Sequence, residues 1–230
     1  MNKPTTELRP LGPAEGQAAF MQALTTEHFT LQTARAVAVS EGNGRTALYL
    51  GALSSTLVAL ALVAQRSLSG EVFHVVALTV LPAVFFLGLV TYVRILQGSI
   101  EDIMYARAIN RIRRYYTQID PSQAHWFLLS GSDDLPGALA NMGLRDSWTR
   151  FLFTMPSAVA VINSLLGGAT VAVAVATLVG APLPVAVAAG MASGTAILAL
   201  HVAYQVRRFA TMRAGVAAEF PSTTRPRLVP

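Results

Sequence analysis

The sequence predicts an all-α integral membrane protein with four transmembrane helices arranged as two hairpins. Three observations carry that prediction. Phe151–Val206 contains no Asp, Glu, Lys or Arg, and its midpoint, Gly180-Ala-Pro-Leu-Pro184, is a turn signal. Thr46–Gln65 and Val72–Val93 are also charge-free and end against Arg45, Arg66 and Arg94. Each of these runs, and each half of the long one, reaches the roughly 20 residues that cross a bilayer. Lys and Arg collect on one side of the four runs, 16 of the 17 outside the two tips, where only Arg66 falls. By the positive-inside rule, both termini and the central segment are cytoplasmic.

Composition agrees. The chain is 53% hydrophobic and 13% charged, with a mean hydropathy of +0.50, against about 25% charge in soluble domains. It has no cysteine, which excludes disulfides, thiol catalysis and Cys-ligated metal. The net charge of +5 is explained by arginines flanking the spans, so no nucleic-acid partner is expected. Arginine in place of lysine, with abundant Ala and Val, looks like a high-GC bacterial genome, and the bacterial inner membrane is the expected location.

Residues 1–13 read as a disordered N-terminus. Residues 14–45 read as a cytoplasmic amphipathic helix, with Phe20, Leu24, Leu31 and Ala38 on one stripe. Glu41 and Arg45 stand in the favourable order for an i,i+4 ion pair. Gly42 and Gly44 predict a bend or hinge at the membrane. Residues 46–93 form the first hairpin. Ala47, Gly51, Ser55 and Ala59 make a small-residue ridge on its first helix. The second helix carries Pro82, which predicts a kink, and the bulky row Leu81, Phe85, Leu89.

Residues 94–150 form a cytoplasmic helical segment. The second helix continues through Tyr116 and stops at Asp120-Pro121. His125-Trp126-Phe127 is expected to pack against membrane-proximal helices. Asp133-Asp134 before Leu135-Pro136 reads as an N-cap, and Gly143 as the matching stop. Residues 151–206 are the second hairpin. Gly168 sits in a four-residue small ridge on the third span, and Gly190 and Gly194 form a G-x-x-x-G on the fourth. Residues 207–230 begin as a helical extension and end as a loose cytoplasmic tail.

Several constellations bear on chemistry. Asn163 and His201 lie roughly 18 and 9 Å into the membrane, counted at 1.5 Å per residue. They suggest a proton or ion relay, or interhelical hydrogen bonds; the absence of charged residues from every span favours the second. Leu81, Pro82, Phe85 and Leu89 are pore-lining candidates; lipid-facing or core packing is the plainer reading. Outside the membrane, Glu27, His28, Arg35, Arg107, Arg111, Arg113 and Arg114 are candidate contacts to a cytoplasmic partner or to anionic lipid headgroups. No nucleotide loop, nucleophile elbow or zinc spacing occurs, so neither an enzyme, a cofactor nor a metal is expected.

Two resemblances add to this reading. Glu27-His-Phe-Thr-Leu-Gln-Thr-Ala-Arg35 and Arg107-Ala-Ile-Asn-Arg-Ile-Arg-Arg-Tyr-Tyr116 resemble uncharacterised four-span membrane proteins of high-GC bacteria. Leu81-Pro-Ala-Val-Phe-Phe-Leu-Gly88 resembles the neck helix of bestrophin chloride channels. That likeness implies a homo-oligomer with Leu81, Phe85 and Leu89 around an axis. The functional expectation is an oligomeric channel or pore-forming membrane effector regulated through its cytoplasmic helices. The alternatives are a non-conducting scaffold presenting those helices to a partner, and a small transporter built on Asn163 and His201.

Overall fold

A computed structural model describes residues 12–66, 70–144 and 154–222. The expected disordered N-terminus up to residue 11, the Arg145–Arg150 lead-in, the first three residues of the third span and the tail beyond 222 lie outside the described residues. Every regular element described is helical: α1 (Pro13–Arg66), α2 (Glu71–Ile119), a short 3-10 helix (Pro121–Trp126), α3 (Leu135–Asn141), α4 (Met155–Leu178) and α5 (Leu183–Gly215). Four of them, α1, α2, α4 and α5, are long and apolar enough to cross a membrane.

The two N-terminal helices are longer than their apolar runs. α1 joins the expected amphipathic helix to the first charge-free run without a break at Gly42–Gly44. A helical glycine costs about 1 kcal/mol relative to Ala. Local bonds offset this: Arg45 pairs with Glu41 at 2.7 Å, Arg94 of α2 reaches the same Glu41 oxygen at 3.5 Å, and the Thr46 hydroxyl donates to the Gly42 carbonyl. This cluster marks where the apolar parts of α1 and α2 begin. Pro82 lies inside α2, which continues past it.

α1 and α2 pack along most of their length in opposite directions. Phe20 meets Tyr115 edge-on, Arg35 binds Asp102 at 2.6 Å, and Tyr49 lies beside Gly88. The shielded positions of α1 recur at steps of three and four: Met21, Leu24, His28, Leu31, Arg35, Ala38, Gly42, Arg45 and Tyr49. That is the spacing of coiled-coil-like packing. Phe20, expected on the stripe, is instead half-exposed at its edge.

α4 and α5 make a second closely packed pair, and α2 bridges the pairs by lying against α4. The joint core holds Tyr49, Leu81, Val84, Tyr92, Ile95, Leu96, Val159 and Leu166. Gly180, at a positive φ of 69°, turns the chain between α4 and α5. α3 is capped as its sequence predicts. The Asp134 carboxylate accepts from the Gly137 amide, and Gly143, at φ 70°, lets the Leu144 amide reach the Leu139 carbonyl.

Candidate functional site

Two polar assemblies stand out, one among the apolar helices and one at the far end of α2. In the first, Asn163 is fully buried and His201 is 4% exposed. They do not meet each other. Asn163 Oδ1 accepts from the Tyr49 hydroxyl of α1 at 3.2 Å. His201 packs edge-on against the Tyr92 ring of α2, with centroids 4.5 Å apart, and the Tyr92 hydroxyl donates to the His201 carbonyl at 2.5 Å. The ring Nδ1 of His201 lies 2.8 Å from the Ile197 carbonyl. One turn further along α5, Gln205 bonds Ser157 of α4. The Tyr49, Tyr92 and Gln205 bonds each tie two helices together, while the His201 ring bonds within α5, and hydrocarbon surroundings demand such partners. Asn163 Nδ2 and His201 Nε2 are the exceptions: both are buried without a hydrogen-bond partner.

The bulky row of α2 is split by the packing. Leu81 is 6% exposed and belongs to the core. Phe85 is half-buried, with its ring where a Cβ on Gly167 would be 2.8 Å away. Leu89 and Pro82 are exposed. Phe85 and Leu89 stand on an open groove between α2 and α5 that also takes in Tyr92, Leu200, His201 and Tyr204.

Three of the four glycines singled out from sequence lie at one seam. A Cβ on Gly168 would come within 2.6 Å of the Gly190 carbonyl, one on Gly190 within 2.7 Å of the Gly168 carbonyl, and one on Gly194 within 3.1 Å of the Ser164 carbonyl. Gly51 is exposed, and a Cβ there would meet nothing within 4 Å. Two glycines that sequence reasoning passed over are as tight or tighter. A Cβ on Gly88 would collide with Asn163 Oδ1 and lie 2.7 Å from the Tyr49 ring; one on Gly167 would lie 2.6 Å from Ile197.

The second assembly divides the candidate contact residues between two faces of α2. On the α1 side, Arg35 pairs with Asp102, and the His28 ring lies 6.2 Å from Tyr116. Burial, and then the Arg113 charge, lower the His28 pKa from its ordinary 6.5. Glu27 is exposed. On the other side, Arg107 is 6% exposed and donates to the carbonyls of Asp133 (2.6 Å) and Val216 (2.8 Å). Arg111 binds the Asp133 carboxylate at 2.7 Å. Arg113 donates to Asn110 and to the Ser130 carbonyl, and the Arg114 backbone lies against Gly131.

Asp133 also accepts from the amides of Glu219 and Phe220, at 3.1 and 2.8 Å, and Asp134 from the Ser222 amide and hydroxyl. The segment expected to begin a loose tail is therefore clamped through residue 222. Burial works to raise both carboxyls. For Asp133 the Phe220 and Glu219 amides and Arg111 outweigh it; for Asp134 the Ser222 hydroxyl, the Ser222 amide and the Gly137 amide do. Both sit below the ordinary 3.8.

Past the clamp, the His125–Phe127 segment differs from its expected packing. Phe127 approaches Tyr116, but Trp126 is 75% exposed and Leu128 95%. Comparison with protein-family models, with curated proteins and with solved structures finds no match to this chain.

Proposed function

We propose that the chain is a non-conducting membrane anchor whose α1–α2 stalk presents a docking surface to a cytoplasmic protein. The carrying observation is the unbroken helix pair. From Arg45 back to Pro13, α1 runs about 50 Å past its apolar part, and α2 runs about 39 Å from Arg94 to Ile119, at 1.5 Å per residue. Around the end of α2, Ile119, Trp126, Leu128 and Leu129 are exposed, as is Phe29 on α1. Tyr116, beside them, is about 33 Å along α2 from Arg94, too far to dip into the same membrane. Exposed apolar clusters of this kind mark interaction sites. The arginine bias puts this end, and both termini, in the bacterial cytoplasm.

A photoreactive residue at Leu128 tests the reading in cells. The expected result is a crosslink to a discrete second protein, lost in Trp126→Asp, with none formed from lipid-facing Leu62. Lipid adducts alone, or none, would overturn it.

The oligomeric channel is the second reading. The groove carrying Phe85 and Leu89 favours it; the burial of Leu81 in the core opposes it, because three residues around one axis must share one open face. Ion flux from purified oligomers in liposomes, reduced by Phe85→Ala, would select the channel over the anchor.

A further inference from the structure

The crevice between α2 and α5 is an apolar trough that ends beside two exposed positive charges. Phe85, Leu89, Tyr92 and Val93 of α2 face Leu200 and Tyr204 of α5 across a groove of about 450 Å³. The groove exists because α5 packs on α4 and touches α2 only sparingly. It is open to the side, since Leu89, Leu200 and Tyr204 are all exposed. It runs along the helices for about 12 Å on α2, from Phe85 to Val93, and about 10 Å on α5, from Ile197 to Tyr204. Its lining is almost wholly apolar, so it suits hydrocarbon and offers a polar ligand little.

The cytoplasmic mouth is different. The α5 wall recurs at helical steps, Ile197, Leu200, His201 and Tyr204. Arg207 and Arg208 follow three and four residues past Tyr204, so they continue the same face within one turn. Both are exposed, and neither has an ion-pair partner among the described residues. α5 itself carries no Asp or Glu. Arg45 and Arg94, which flank the first hairpin at its cytoplasmic end, instead share Glu41. Tyr204 stands about 4.5 Å deeper than Arg207, the place of a phenol in an interfacial aromatic belt.

We infer that the α2–α5 groove holds an acyl chain of an anionic phospholipid, whose phosphate meets Arg207 and Arg208. The apolar wall takes the chain, and the two guanidiniums select the headgroup. A zwitterionic lipid fits the same trough, but its own cation offsets the attraction, so selection is by net headgroup charge. The inference uses no residue of the α1–α2 stalk and stands apart from the docking reading above.

The test uses the full chain in phosphatidylcholine nanodiscs containing a trace of phosphatidylglycerol or phosphatidylcholine with a diazirine in the acyl chain. After illumination, adducts are mapped by mass spectrometry. The phosphatidylglycerol probe is expected to label residues 85–93 and 197–204 several-fold more than the phosphatidylcholine probe. An arginine facing anionic headgroups contributes roughly a fivefold factor. Arg207→Gln and Arg208→Gln should each lower the preference by about that much, and Arg94→Gln, whose charge Glu41 already shares, should leave it. Leu89→Trp fills the groove and removes the labelling there while the arginines remain. Equal labelling of the groove by the two probes overturns the site. So does a preference that Arg94→Gln lowers as far as Arg208→Gln, which is attraction to the basic surface as a whole, or one that survives Leu89→Trp. All four substitutions fall at exposed positions, and the two-probe comparison on the unaltered chain needs none of them.

Discussion

The Tyr49 hydroxyl donates to Asn163 Oδ1 at 3.2 Å beside the bare Cα of Gly88. Three helices, α1, α2 and α4, meet at that point, and the hydrogen bond requires that α2 present no side chain there. Gly88→Ala is therefore expected to destabilise the bundle, by about 1–3 kcal/mol for an overpacked core position. Gly98→Ala is the control. Its Cβ would meet only the Ala38 carbonyl at 3.6 Å, an ordinary contact, and alanine favours the helix by up to about 1 kcal/mol. Thermal unfolding in detergent should move down for the first and hold or rise for the second.

The α4–α5 seam predicts a similar contrast. Gly190→Ala would press a methyl against the Gly168 carbonyl and the Ala172 methyl, at 2.7 and 2.8 Å. The two helices must then separate, and the Ser157–Gln205 bond at one end of the seam should loosen with them. Gly51→Ala adds a methyl in open space and is expected to be neutral or stabilising. Melting temperatures of the two variants in one detergent would check this; equal losses would contradict the seam.

How far the sequence carried this fold depends on which signals are local. The apolar runs, the stop at Asp120-Pro121, the Asp134 cap and the turn at Gly180–Pro184 are all written in neighbouring residues. So is the burial of Asn163 and His201, since hydrocarbon leaves a polar side chain few places to go. Their partners were not legible. Tyr49 and Tyr92 look like any span tyrosines until the rotation of each helix is known. The same ignorance hides Gly88 and Gly167, while Gly51, in a plausible small-residue ridge, lies exposed. The helix runs unbroken through Gly42 and Gly44, because propensity is a weak prior against tertiary packing. The tail clamp joins residues as far apart as Arg107 and Val216, a separation no periodicity can report.

Asp133 is the centre of that clamp. Its carboxylate serves Arg111 and two tail amides while its own carbonyl serves Arg107. Asp133→Ala removes charge-assisted bonds worth about 2 kcal/mol each. Local opening of the tail should then become roughly thirtyfold more frequent for each bond lost. Hydrogen exchange at the Glu219 and Phe220 amides should quicken accordingly, with exchange in α4 unchanged because those helices are held by other contacts. Arg107→Ala should loosen the same amides, since it leaves the Val216 carbonyl without its donor.

Acid should open the clamp, and the direction follows from the two aspartates. Both have pKa values below the ordinary 3.8 while the tail is bound; on release they return toward it. A carboxyl with a depressed native pKa contributes stability that is fully present above the released-state value and is lost as pH falls through the native one. The clamp is thus expected to be closed at neutral pH, to weaken below about 3.8 and to open further down. The chain has no cysteine, so Leu128→Cys and Ala217→Cys, both at exposed positions, give a clean spin-label pair. Their distance distribution should be narrow at pH 7 and broaden below pH of about 3.8. With Asp133→Asn it should be broad at pH 7 already, because a neutral amide cannot replace the carboxylate opposite Arg111. Broadening on the alkaline side instead would show that some other group holds the tail.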